Sequence, residues 1–191
     1  MKLPYIIGIY SDAPQSGKST VAEFLVDEFG YKRLPFAQVL KQMCRPLFSA
    51  LGYSTVDIFR FETGDKSDAI LIDDVIVCSV RQVYQTLGTE WGRNCISPDL
   101  WVEAWKRSCD EITKSGVYGG VVADDLRFPN ELAGLRSVGG KAWSIKRPGT
   151  IRPNGHSSEG QLDCENADFV ISNDSTIESL IETLTKAWSI K

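Results

Sequence analysis

A lysine and a hydroxyl stand together in Gly17-Lys18-Ser19, directly after the apolar run Tyr5-Ile6-Ile7-Gly8-Ile9-Tyr10 and at the head of an amphipathic stretch. Strand, tight turn and helix in that order is the setting in which a loop cradles phosphate groups. Backbone N–H groups at a helix start converge on one spot, and the helix dipole adds partial positive charge there. On this reading Ala13, Ser16, Gly17, Lys18, Ser19 and Thr20 bind ATP. Lys18 supplies full charge for the β- and γ-phosphates, and the Ser19 hydroxyl ligates Mg²⁺. One position departs from the pattern G-x-x-x-x-G-K-[ST], because Asp12 replaces the first glycine. Aspartate tolerates positive φ better than most residues, so the turn survives. The alternative is a chance Gly-Lys-Ser at a helix start, and the flanking strand and helix argue against it.

A second group of reactive side chains lies where the apolar run Val117 to Ala123 stops at Asp124-Asp125, with Arg127 two residues further on. In a phosphate-loop fold an acidic residue at that strand end faces the metal and the attacking group. At least one of the two aspartates reads as a solvated strand-end carboxylate. A continued strand would put Asp125 and Arg127 on one face, so Asp125 is the expected Mg²⁺ or acceptor contact. Arg127 is then expected at the developing charge, and Lys18, Asp125 and Arg127 form the expected catalytic set.

A phosphorylated acceptor needs one or two cations, with amide or hydroxyl groups for its other parts. The block Gln85-Thr86-Leu87-Gly88-Thr89-Glu90-Trp91-Gly92-Arg93 offers both, and Arg81 lies just before it. Taken alone, these arginines read as surface residues. Lys41 borders the buried position Leu40 and reads equally as an acceptor contact or a solvated lysine. Trp105 reads as core, while Trp101 stays open between core and base stacking. Arg147 and Arg152 flank Pro148 to Ile151, the start of an exposed loop running to Asn166. A long loop in a compact domain is usually functional, and an arginine-bearing lid would exclude water. Phosphoryl transfer needs little proton abstraction, so His156 reads as a binding or loop-ordering residue rather than a general base.

The elements that must position these groups follow from periodicity. A helix from Lys18 to Phe29 carries Ala22, Leu25, Val26 and Phe29 on one face and stops at Gly30. A short strand follows at Tyr31 to Leu34, then a helix with Leu40, Cys44, Leu47, Phe48 and Leu51 on one face. Residues 52–79 give no clear period. Helices are expected at Val80 to Leu87 and Asp99 to Ile112, and strands at Val117 to Ala123, Lys141 to Lys146 and Asp168 to Ser172. Pro129 opens a helix that Gly139-Gly140 closes, and the capping box Ser175-Thr176-Ile177-Glu178 starts a last helix reaching about Trp188. Strands alternating with helices predict an α/β fold with a parallel sheet.

Composition narrows the function. The 191 residues are 42% hydrophobic and 24% charged, ordinary for a single folded domain. A net charge of −4 argues against duplex nucleic acid as the main partner. The single histidine excludes a His-rich metal site, and five cysteines without a Cys-x-x-Cys pair predict reduced thiols in a cytoplasmic compartment. Leu3 to Tyr10 is too short to span a bilayer and lacks a signal-peptide cleavage site. No feature marks an oligomer interface, which leaves a homodimer open.

Several motifs together resemble a known family. They are Asp125-Leu126-Arg127-Phe128-Pro129-Asn130-Glu131, Gly139-Gly140 with the strand to Arg147, Gln85 to Arg93 followed by Pro98-Asp99-Leu100-Trp101-Val102, Phe36-Ala37 with Leu40-Lys41, and His156-Ser157-Ser158-Glu159. In this order, from about Ile6 to Asn173, they resemble phage deoxynucleoside monophosphate kinases of the phosphate-loop class. The resemblance implies one domain over 1–191, a five-stranded parallel sheet, a monophosphate-binding helical segment at about 36–106 and a lid at about 147–166. It implies transfer from ATP to a dNMP with Mg²⁺, in the host cytoplasm if the chain is phage-encoded. Lys41, Arg81, Gln85, Gly88, Thr89, Arg93 and Trp101 become the expected acceptor contacts, and Arg152 is expected to reach the ATP phosphates on closure. Two other readings compete: a kinase for another phosphorylated acceptor such as phosphomevalonate, and an ATP-dependent switch. A GTPase would need Asn-Lys-x-Asp, which the chain lacks.

Overall fold

The computed structural model describes residues 3–11, 16–64, 67–148 and 162–188. Among these the strands are β1 (Ile6–Ser11), β2 (Tyr31–Arg33), β3 (Ala69–Ile72), β4 (Val75–Ser79), β5 (Gly120–Ala123), β6 (Lys141–Lys146) and β7 (Phe169–Ser172). The α-helices are α1 (Lys18–Phe29), α2 (Gln38–Ala50), α3 (Thr55–Thr63), α4 (Val80–Gln85), α5 (Leu100–Ser115), α6 (Pro129–Ser137) and α7 (Ile177–Trp188). The chain divides into two compact units, residues 1–36 with 105–191, and residues 37–104.

The first unit is built on a five-stranded sheet in the order β2-β5-β1-β6-β7, with parallel pairing throughout. Ile7 of β1 lies opposite Val122 on one side and Lys141 on the other. Parallel strands are covered on both faces, which is why β1 and β5 read as continuous apolar runs rather than alternating ones. Val21, Ala22, Phe24 and Leu25 of α1 pack with Ile7, Ile9, Trp143 and Ile145, joined by Leu180 and Leu184 of α7. Trp143 and Trp188 stack with centroids 4.6 Å apart. The expected strand from Val117 begins only at Gly120, since Val117 is 75% exposed and Gly119 N–H instead donates to the Gly30 carbonyl at 2.9 Å. The last helix is capped one residue later than the sequence predicts: Thr176 Oγ1 accepts from Ser179 N–H at 3.3 Å.

The second unit has its own core of Cys44, Phe48, Ile58, Phe61, Ile70, Val80 and Tyr84. On α2 the buried stripe is Leu40, Cys44 and Phe48, an i, i+4, i+8 row, while Leu47 and Leu51 lie off it and are exposed. The stretch without clear period holds α3, capped reciprocally by Ser54 and Asp57, and an antiparallel β3–β4 hairpin. Its turn residues Asp73 and Asp74 both have positive φ, 50° and 62°. A two-residue turn with both φ positive matches strand twist, but Asp-Asp lacks the Asn-Gly or Asp-Gly signature that would announce it. Helix α4 runs on into a π-helical stretch, Thr86–Ile96.

Candidate active site

In an open parallel sheet ligands bind beyond the carboxyl ends of the strands. Ser11, Arg33 and Asp124 stand at or just past those ends on the adjacent strands β1, β2 and β5. Helix α1 starts on the same side of β1. Gly17 caps it at φ 103°, a left-handed conformation that favours glycine, and a Cβ there would come within 2.8 Å of Asn173 Nδ2. Behind the loop, Asn173 is 6% exposed and donates from Nδ2 to the Ser16 carbonyl at 2.8 Å. Lys18 Nζ donates to Ser11 Oγ at 2.6 Å and to Ser16 Oγ at 3.5 Å. These two bonds hold the ammonium back over the end of β1.

The two aspartates separate sharply. Asp124 is 7% exposed and its Oδ2 accepts from Ser19 Oγ at 3.3 Å. Arg33 Nε donates to Asp124 Oδ1 at 3.1 Å, and Arg33 Nη2 pairs with Asp124 Oδ2. The same Nη2 donates to Ser19 Oγ at 3.2 Å. Burial pulls the Arg33 guanidinium downward, but hydrogen bonding to Asp124 and its charge outweigh that, so its pKa stands above the ordinary arginine value. Asp125 instead accepts the backbone N–H of Phe36 at 2.8 Å. The strand ends at Ala123, so the continuation that would align Asp125 with Arg127 does not exist. Arg127 is exposed on the way into α6, where the buried Glu131 carboxylate accepts from Arg127 N–H at 2.9 Å and Phe128 N–H at 3.1 Å.

One hydroxyl and one carboxylate, already drawing a cation onto themselves, fit Mg²⁺ chemistry. That ion binds through one or two carboxylates plus substrate phosphates rather than in an all-protein cage.

The remaining expected residues distribute as follows. Arg81 and Gln85 lie on α4, while Gly88, Thr89 and Arg93 lie in the π-helical stretch. Arg93 Nη1 donates to the Pro98 carbonyl at 3.4 Å, and Lys41 Nζ to the Glu62 carbonyl at 2.9 Å. Trp101 is 5% exposed and donates from Nε1 to the Gly88 carbonyl at 2.9 Å. A Cβ on Gly92 would lie 2.6 Å from its ring, so the indole packs directly against the π-helical stretch. Thr20 is on α1, and Arg147 is exposed just past β6. Asp12, Ala13, Arg152, His156 and Glu159 lie outside the described residues. The far end of the expected loop is firmly tied: Leu162 is buried, Cys164–Asn166 form a 3₁₀ turn, and Tyr10 Oη donates to the Asp163 carbonyl at 2.7 Å.

Sequence reasoning missed Arg33 and Asn173. A lone arginine ending a short strand carries no motif, although its place at a strand's carboxyl end was a readable signal. Asn173 follows β7 in the same way.

A parallel sheet whose central strand leads to Gly17-Lys18-Ser19 at the start of the first helix is the framework of the phosphate-loop class. The model of the deoxynucleotide monophosphate kinase family matches residues 47–184, and the chain belongs to that family. A protein of Acanthamoeba polyphaga mimivirus, provisionally named a deoxynucleotide monophosphate kinase, is 29% identical over 85% of this chain and 86% of its own. The deoxynucleotide monophosphate kinase of Escherichia phage RB69 is 28% identical over 71% of this chain, which spans 54% of that protein. A Thermus thermophilus protein of known structure, 20% identical, shares the fold with a TM-score of 0.50 over 98% of each chain. The chain is thus a nucleotide kinase.

Proposed function

We propose that this enzyme moves the γ-phosphate of ATP to a deoxynucleoside monophosphate, giving ADP and the deoxynucleoside diphosphate. An oxygen of the acceptor phosphate bonds to the γ-phosphorus as the bond to the β,γ-bridging oxygen breaks, and that oxygen's charge stays on ADP. The observation that carries this reading is the meeting of Ser19 and Asp124 beside Lys18 at the start of α1. Lys18 and the N–H groups of the loop bind the β- and γ-phosphates and hold them in line. Mg²⁺, bound with ATP, supplies charge neutralisation at the phosphates. Ser19 and Asp124 are the side chains that would hold it. Asp125 fixes the turn after β2 through Phe36 rather than touching the metal.

Arg93, with Gln85 and Thr89, binds the acceptor in this proposal, and Arg81 and Lys41 add positive charge for its phosphate. Trp101 keeps the block in shape. Arg127 stands at the entry to α6 as the cation for charge that develops during transfer.

The test is ADP formation with each common dNMP and NMP in turn. A kinase forms ADP only when an accepted monophosphate is present. ADP release at the same rate without acceptor would replace this reading with a nucleotide-driven switch.

A further inference from the structure

We infer that Arg33 is a built-in counter-ion of the Ser19–Asp124 pair, occupying the cation position until metal-bound nucleotide takes it over. The inference rests on the proposed ATP site. Its basis is a short chain of placements. Strand β2 ends at Arg33, which lies opposite Val122, so its side chain emerges beside the first residue after β5's end, Asp124. The guanidinium engages both Asp124 oxygens and also donates to Ser19 Oγ at 3.2 Å. A fork with two parallel N–H donors matches a carboxylate closely. One side chain thereby bridges the same two groups that would ligate the metal.

Burial explains why something must sit there. The Asp124 side chain is 7% exposed, and a carboxylate that far from water without a partner is strongly destabilising. Arg33 itself is 38% exposed, so it can swing outward without repacking the core. Glu23, four residues after Ser19 on α1, already lies 3.6 Å from Arg33 Nη1 and is 64% exposed. It offers the displaced guanidinium an anion nearer to water.

The arrangement makes an asymmetric demand on the two forms of the nucleotide. Metal-bound ATP must displace Arg33 from Asp124 and Ser19. Metal-free ATP brings no rival cation and gains from a second positive charge beside Lys18. Arg33 therefore acts as a positioning residue that holds the metal ligands together before nucleotide binds and weakens the preference for the metal-bound form.

Calorimetric titration of ATP with Mg²⁺, and of ATP with EDTA, into the unaltered chain and Arg33→Gln measures that preference. In Arg33→Gln the ratio of the two affinities should move by about tenfold toward Mg²⁺-ATP, the range of ordinary coupling between sites. Arg33→Lys, which keeps the charge and loses the fork, should restore the metal-free affinity. Equal changes in both affinities, or none, would overturn the inference by reducing Arg33 to a surface ion pair. An unaltered chain that binds neither form of ATP would overturn the proposed function as well, and so separates the two failures. A second measurement needs no variant: the Arg33 Nε–H resonance, assigned through its own side-chain carbons. It should lose its protection from exchange on adding Mg²⁺-ATP and keep it with ATP in EDTA. The same response to both would overturn the inference.

Discussion

Ser19 and Asp124 are 105 positions apart in the chain, and Ser19 Oγ donates to Asp124 Oδ2 at 3.3 Å. The contact exists because β1 and β5 are parallel neighbours whose carboxyl ends open on the same edge. It also distinguishes two adjacent acids by their contacts, since Asp125 accepts the Phe36 N–H instead. If the pair holds the metal, Asp124→Asn should lower kcat by at least about 10²-fold, the scale of losing one preorganised electrostatic group. It should also raise the Mg²⁺ concentration needed for half-maximal rate. Full activity in Asp124→Asn together with a dead Asp125→Asn would transfer the role to Asp125.

Asp125 is expected to matter for folding. Its carboxylate accepts the Phe36 N–H at 2.8 Å, in the turn where Phe36 stacks on Trp105 with centroids 4.3 Å apart. Asp125→Ala strands that N–H and should cost about 1–3 kcal/mol in denaturant unfolding. Asp125→Asn keeps an acceptor oxygen and should cost less. A large change in Mg²⁺ dependence with unchanged stability would contradict this division of labour.

The strand and helix that flank the expected phosphate loop were legible because their signal is local: an apolar strand, Gly17-Lys18-Ser19 and an amphipathic helix are consecutive. The sheet was legible for the same reason, apart from β5, where Val117 looks like strand but is left exposed. That Asp124 is the aspartate meeting Ser19, with Asp125 on the Phe36 N–H, was not legible. It depends on where β5 stops relative to β1 and β2, a register that no single segment encodes. Arg33 escaped for that reason too, since its partner is 91 positions away. The β3–β4 hairpin escaped because its turn uses Asp73-Asp74, and Trp101 stayed ambiguous because a buried indole and a stacking indole have the same sequence signature.

Gly92 is a position where a single methyl should report on the acceptor block. A Cβ there would meet the buried Trp101 ring at 2.6 Å, and the rigid indole has its N–H tied to the Gly88 carbonyl. Gly92→Ala should therefore cost about 1–3 kcal/mol of overpacking strain. It should raise the KM for the monophosphate while leaving ATP affinity within about twofold, since ATP is assigned to other elements. Trp101→Phe, which removes the N–H and thins the ring, should partly relieve Gly92→Ala in the double variant. Strictly additive losses would mean that the glycine and the indole do not press on each other.

Alkaline pH should weaken the fold through groups kept protonated by burial. Burial, with the charge of Glu62, pushes the Cys44 thiol from 9.0 up to about 11. Burial likewise carries Cys109 to about 11 against the hydrogen bond from Thr113, and burial with the charge of Tyr5 carries Tyr31 from 10.0 to about 12. Between pH 9 and 11 the unfolded chain has released thiol protons that the folded chain still holds. Stability must fall wherever the folded state binds more protons. Denaturant unfolding at fixed temperature should thus show a contribution from these groups that is fully present below pH 9 and declines through pH 11, with Tyr31 extending the loss toward pH 12. Cys44→Ala should flatten part of that decline while lowering stability at neutral pH, because it also opens space beside Phe48. At pH 8 a thiol reagent should modify the exposed Cys95 at once and leave Cys44 and Cys109 untouched until the chain unfolds. Rapid labelling of Cys44 in the folded chain would show that the second unit opens far more readily than its packed core implies, and a stability that stays level from pH 9 to 11 would show that burial does not hold these protons.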